Sequence, residues 1–92
     1  MIRDFKSKGL SELWSTGGTA KIDAKMHKRI LVRLDALDAA TKLGDLALPG
    51  FNFHPLSGFE PSRYSIHVNG PWCITFAFDE TDVLEVQFEQ YH

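Results

Sequence analysis

The sequence predicts an α+β domain with two N-terminal helices packed on a mainly antiparallel sheet, in the order β-α-α-β-β-β-β. Three observations predict it. Apolar residues recur near a period of 3.6 up to Pro49 and at a period of 2 after it. Paired glycines, Gly17-Gly18, separate two helical stripes. Asn69-Gly70, between two alternating runs, is a strong hairpin signal. The 92 residues amount to one small domain, 1–92, with no internal repeat and no linker long enough to divide it.

Each element has its own signature. Ile2-Arg3-Asp4-Phe5 alternates apolar and charged residues, which suits a short strand. Leu10, Leu13 and Trp14 make one apolar helical stripe. Asp23 is placed to cap a second helix, along which Met26, Ile30, Leu34 and Leu37 recur. Gly44 or Pro49-Gly50 ends the helical region, with a short helical turn around Leu43 and Leu46. Four alternating runs follow: Phe51 and Phe53; Tyr64, Ile66 and Val68; Trp72, Ile74, Phe76 and Phe78; Leu84, Val86 and Phe88. Pro55-Leu56-Ser57-Gly58, Asn69-Gly70-Pro71 and Asp79-Glu80-Thr81-Asp82 break them. With helices on one face, the other carries Ser65, His67, Cys73, Thr75 and Gln87, a polar and candidate functional surface.

Composition narrows the function classes. The net charge of −2 hides an asymmetry: residues 1–46 carry +3, and residues 47–92 carry −5 with Arg63 as their only Lys or Arg. That excludes a uniformly polycationic nucleic-acid coat but allows a local basic face. No apolar run is long enough for a transmembrane helix, and the start lacks the apolar core of a signal peptide. A single cysteine, Cys73, rules out an internal disulfide framework and Cys-rich zinc motifs. A reduced, cytoplasmic protein without a membrane partner is expected. Neither a metal-binding His spacing nor a phosphate-cradling Gly loop is present, so no metal or cofactor is expected.

What remains is imidazole, phenol and guanidinium chemistry. These groups suit RNA cleavage, in which a base takes the 2′-OH proton and a cation steadies the phosphorane. The candidates are His54, His67, Tyr91 and His92, with Arg63 and the helix cations Lys25, Lys28, Arg29 and Arg33 for RNA phosphates. Each has a bland alternative. His54 also suits a turn cap and His67 a solvated strand face. Tyr91-His92 also suits a frayed chain end, and the cations a solvated helix face.

Several segments in order carry a resemblance. They are Met1-Ile2-Arg3-Asp4-Phe5 with Gly9-Leu10, Leu34-Asp35-Ala36-Leu37-Asp38-Ala39-Ala40-Thr41, and His54-Pro55-Leu56-Ser57-Gly58. Tyr64-Ser65-Ile66-His67-Val68, Trp72-Cys73-Ile74-Thr75-Phe76 and the closing Tyr91-His92 complete the set. Over essentially its full length the chain resembles the HigB-type toxins of the RelE/ParE superfamily, the plasmid maintenance killer proteins. The resemblance implies a RelE-like microbial ribonuclease fold and a ribosome-dependent mRNA interferase. Such a toxin cuts the A-site codon by 2′-OH attack, leaving a 2′,3′-cyclic phosphate, without a cofactor. It implies a helix-turn-helix antitoxin (HigA-like) as partner, the complex of the two binding operator DNA.

Carried over by position, the resemblance makes His54 a proton acceptor or phosphate-positioning group. It makes Tyr91 a base-stacking or positioning residue and His92 a proton donor or acceptor. Trp72 is read as structural. Three positions depart from the pattern. Cys73 stands where the family has the arginine of Trp-Arg-Ile-Thr-Phe, Ser57 where a lysine is common, and Gln90 where an acidic residue is common. Cysteine offers a weak donor and no fixed positive charge, so Cys73 implies attenuated activity. Either it is an inactivating substitution, or Arg63 or a helix lysine supplies the charge. Two other functions share the fold: a gyrase poison that cuts no RNA, and a degenerate toxin that only binds its antitoxin.

Overall fold

The computed structural model describes residues 1–90. Helix α1 spans Lys8–Thr16 and α2 spans His27–Ala39. Strands β1 (His54–Leu56), β2 (Arg63–Asn69), β3 (Trp72–Asp79) and β4 (Asp82–Gln90) form an antiparallel meander in that order. The expected α+β class holds.

Local chemistry explains the boundaries. The Ser7 hydroxyl accepts from the Leu10 N–H at the start of α1, and Gly17, at φ 86°, closes it by donating to the Leu13 carbonyl. Asp23 caps a short 3-10 turn, Ala24–Met26, rather than α2 itself, which begins at His27. Ala40 in extended conformation ends α2 before Gly44 is reached, and Leu43–Leu46 form the expected short turn.

Two strand expectations are corrected. Ile2–Phe5 makes only isolated parallel bridges, Ile2 to Val83 and Phe5 to Val86, because a run this short pairs at two points. It still shields the outer edge of β4, which would otherwise be an open pairing template. The first strand of the meander is His54–Leu56, not the Phe51–Phe53 run: Asn52 at φ 47° keeps that run a turn, and Pro55-Leu56 pairs with Tyr64 and Arg63. The β2–β3 hairpin turns through Gly70-Pro71 between the paired Asn69 and Trp72.

Alternation in β4 also shifts. Val83 and Val86 are both fully buried although three positions apart. Glu85, at φ 50°, forms a bulge opposite Phe76, moving Leu84 off the core face and restoring the phase for Val86 and Phe88.

One core joins the layers. Leu10 and Leu13 of α1, with Ile30, Leu34 and Leu37 of α2, meet Ile66, Ile74, Phe76, Val83 and Val86 of the sheet. Trp72 stacks on Phe88 at 4.6 Å. Among the described residues no helix lies over the opposite sheet face.

Candidate active site

Strand register arranges the helix-free face into rows. One row runs His67, Cys73, Glu89. The next runs His54, Ser65, Thr75, Gln87, and the third Leu56, Arg63, Ala77, Leu84. Rows of this kind put side chains of neighbouring strands in contact.

His54 is exposed at the edge of the sheet. Its Nδ1 lies 2.9 Å from the Asn52 carbonyl oxygen. An Nδ1–H donated there closes the turn and leaves Nε2, which has no partner among the described residues, as the proton-accepting nitrogen. This contact carries the turn-cap reading of His54 and is compatible with proton transfer at Nε2. Cys73 is 5% exposed, two strands away, roughly 10–12 Å by strand and residue spacing. Its flanking residues across the sheet are His67 and Glu89. Tyr91 and His92 lie outside the described residues.

The polar face is more deeply buried than alternation suggests. Ser65 and Thr75 are fully buried, and Arg63 is 9% exposed. Arg63 Nη2 donates to the Thr75 hydroxyl (3.2 Å) and to the Glu85 carbonyl (2.9 Å), which the bulge turns toward it. The Thr75 hydroxyl in turn donates to the Glu89 carboxylate. A guanidinium and a carboxylate are thus held side by side through one hydroxyl. Ser65 Oγ has no partner among the described residues. Beside this chain opens a cleft of about 260 Å³ lined by Phe59, Glu60 and Pro61 of the loop before β2 and by Arg63, Glu85, Gln87 and Glu89 of the sheet.

The helix cations separate from this face. Lys25 and Lys28 are exposed on the opposite layer. Arg33 Nε donates to the His67 carbonyl (2.6 Å), Nη2 to the Gly50 carbonyl (3.4 Å), and the guanidinium lies 4.8 Å over the Phe51 ring. Burial, with Arg29 nearby, lowers its pKa. Arg29 reaches the Val68 carbonyl at 3.3 Å. Both arginines fasten α2 to the end of β2.

Two site features escape a reading by residue type. Glu89 is overshadowed by its neighbours, the apolar Phe88 and Gln90, the position at which the resemblance expects an acidic residue. Its signal is alternation, which puts 89 on the face of Cys73. Phe59 is a large aromatic left 42% exposed within a loop of Ser, Gly and Pro. Among the described residues no group of three or more His, Cys, Asp or Glu is placed to hold a metal ion.

Comparison with known proteins adds the family context. A family model for the RelE-like toxin of the type II toxin–antitoxin system HigB matches residues 3–92. The chain is 40% identical over 92 residues to Endoribonuclease HigB of Proteus vulgaris, covering both chains completely. It is 30% identical over 83 residues to an uncharacterized protein of Haemophilus influenzae, covering 86% of this chain and 80% of that one.

Proposed function

Because this chain belongs to the RelE-like, HigB-type toxins of type II toxin–antitoxin systems, we propose that it is an endoribonuclease that cuts mRNA in the ribosomal A site. The full-length 40% identity to a protein named as an endoribonuclease carries the reading. The exposed imidazole of His54 on a sheet face without helices supports it.

In the proposed reaction the 2′-OH proton passes to an imidazole, the 2′-oxygen attacks the adjacent phosphorus, and the 5′-oxygen leaves with a proton. The products are a 2′,3′-cyclic phosphate and a 5′-OH. His54 and His92 are the proton-transfer pair, and Tyr91 stacks the splayed base. Lys25, Lys28 and the outer edges of Arg29 and Arg33 meet ribosomal RNA phosphates. Arg63 is the sheet-face cation. Since position 73 carries a thiol, the reaction runs attenuated. As a type II toxin the chain has an antitoxin partner. We assign that partner as a HigA-like helix-turn-helix protein whose complex with the toxin binds operator DNA, and place both in the cytoplasm.

Primer extension on mRNA from induced cells tests this. Codon-phased cuts that vanish in His54→Ala are expected. An SOS response without cuts makes the chain a gyrase poison, and antitoxin binding with neither effect makes it a degenerate toxin.

A further inference from the structure

We propose that the cleft between Phe59 and the Arg63–Thr75–Glu89 chain is a subsite for a single guanine base of the RNA. The inference rests on the ribonuclease reading only for RNA as the polymer; the base preference stands on the cleft itself.

The volume is the first argument. At about 260 Å³ the cleft is below the range of about 300–1,000 Å³ that holds drug-sized molecules, and it suits one planar base. Phe59, 42% exposed, provides a ring on which any base can stack.

Charge excludes a phosphate. Glu60, Glu85 and Glu89 line the cleft against one guanidinium, and among the described ion pairs only Glu85 is offset, by Lys6 at 3.6 Å. A net negative cleft repels a phosphodiester but accepts a neutral ring. Arg63, 9% exposed, lines the same cleft, so a basic side chain entering it would meet a like charge beside the carboxylates. Both of its described hydrogen bonds leave from Nη2, so Nη1 and Nε retain donors, and none of the described ion pairs involves Arg63.

Donor and acceptor order selects the base. A carboxylate only accepts and a guanidinium only donates. Thr75 couples Arg63 to Glu89, so the acceptor and the donor stand next to each other. Guanine alone presents two adjacent donors, N1–H and the N2 amine, beside two acceptors, O6 and N7. Adenine alternates donor and acceptor on each edge, cytosine has one amine, and uracil one N–H. Glu89 takes N1–H and the N2 amine, and Arg63 donates to O6.

The test is nuclear magnetic resonance titration of the intact isotope-labelled protein with the trinucleotides AGA, AIA (inosine at the centre) and AAA, which needs no cleavage. We expect AGA to bind about tenfold more tightly than AAA, as one bidentate base contact discriminates, with shifts at the Gln87 amide and the Arg63 Nε–H. AIA, lacking the N2 amine, should bind more weakly than AGA. Glu89→Gln should erase the preference while keeping a folded spectrum, and Phe59→Ala should weaken all three alike. Equal affinities, or shifts confined to other surfaces, overturn the proposal. So does tighter binding of an arginine-rich peptide at the same resonances, which would give the cleft to a protein partner. Guanine-selective binding without mRNA cuts in cells would keep the subsite and remove the ribonuclease reading.

Discussion

At position 73 a thiol occupies a row between His67 and Glu89, a position at which the resemblance to HigB-type toxins implies a guanidinium. Cys73→Arg would meet the Glu89 carboxylate across the strand, a pairing that sheets tolerate. The restored charge should raise mRNA cleavage and growth arrest on the order of 100–1000-fold, the usual cost of removing one preorganised electrostatic donor. Unchanged toxicity would mean that the missing arginine is not what limits this chain. Arg33 makes the opposite case, a cation already committed to the fold. Arg33→Ala removes charged donors from the His67 and Gly50 carbonyls and a ring contact with Phe51. Urea denaturation should show a loss of about 2 kcal/mol. Lys28→Ala, with no described partner, should leave the urea midpoint within about 0.5 kcal/mol of the parent.

Elements show where the sequence was legible. Helix stripes and the meander could be read because Leu10, Leu13, Ile30, Leu34 and Leu37 repeat at helical period and the strands at period 2. Glu85 could not be read: a left-handed bulge at a non-glycine residue has no local signature, yet it turns a carbonyl toward Arg63. The Arg63–Thr75–Glu89 chain depends on that bulge and on register, both tertiary outcomes. Asp45 shows a smaller device of this kind. Its carboxylate accepts from the Thr41 N–H (3.0 Å), the Thr41 hydroxyl (3.2 Å) and the Lys42 N–H (3.3 Å), tying down the Leu43–Leu46 turn. The Thr41 N–H bond is the main cause holding its pKa below the ordinary aspartate value of about 3.9. A depressed folded pKa contributes stability that is present above the unfolded value and lost as pH falls through the folded one. Thermal melts should therefore show Asp45→Asn below the parent at pH 7 and the gap narrowing below about pH 4. A gap independent of pH would mean that the ionised carboxylate is not what holds the turn.

For the whole molecule, the charge asymmetry resolves into two surfaces and a seam. Part of it is internal: Arg3 pairs with Asp82 at 3.1 Å and Lys6 with Glu85, closing the basic N-terminal segment onto acidic β4. Arg29 and Arg33 are spent on backbone carbonyls. Lys25 and Lys28 remain exposed on the helix layer, while His54, Arg63 and Glu89 occupy the far face of the sheet. Binding and chemistry should then separate by side. If Lys25 and Lys28 each neutralise one ribosomal RNA phosphate, replacing both with alanine removes two released counterions. The slope of log affinity for ribosomes against log salt should flatten by about 1.4–1.8, and affinity should fall equally for every codon in the A site. Cut positions on a primer-extension map should stay where they were. Glu89→Gln should do the reverse, changing which codons are cut while leaving the salt slope in place. An unchanged slope in the double lysine variant would make the basic side of α2 a solvated helix face and move the ribosome contact elsewhere. A slope change accompanied by altered cut sites would mean that the two surfaces act as one.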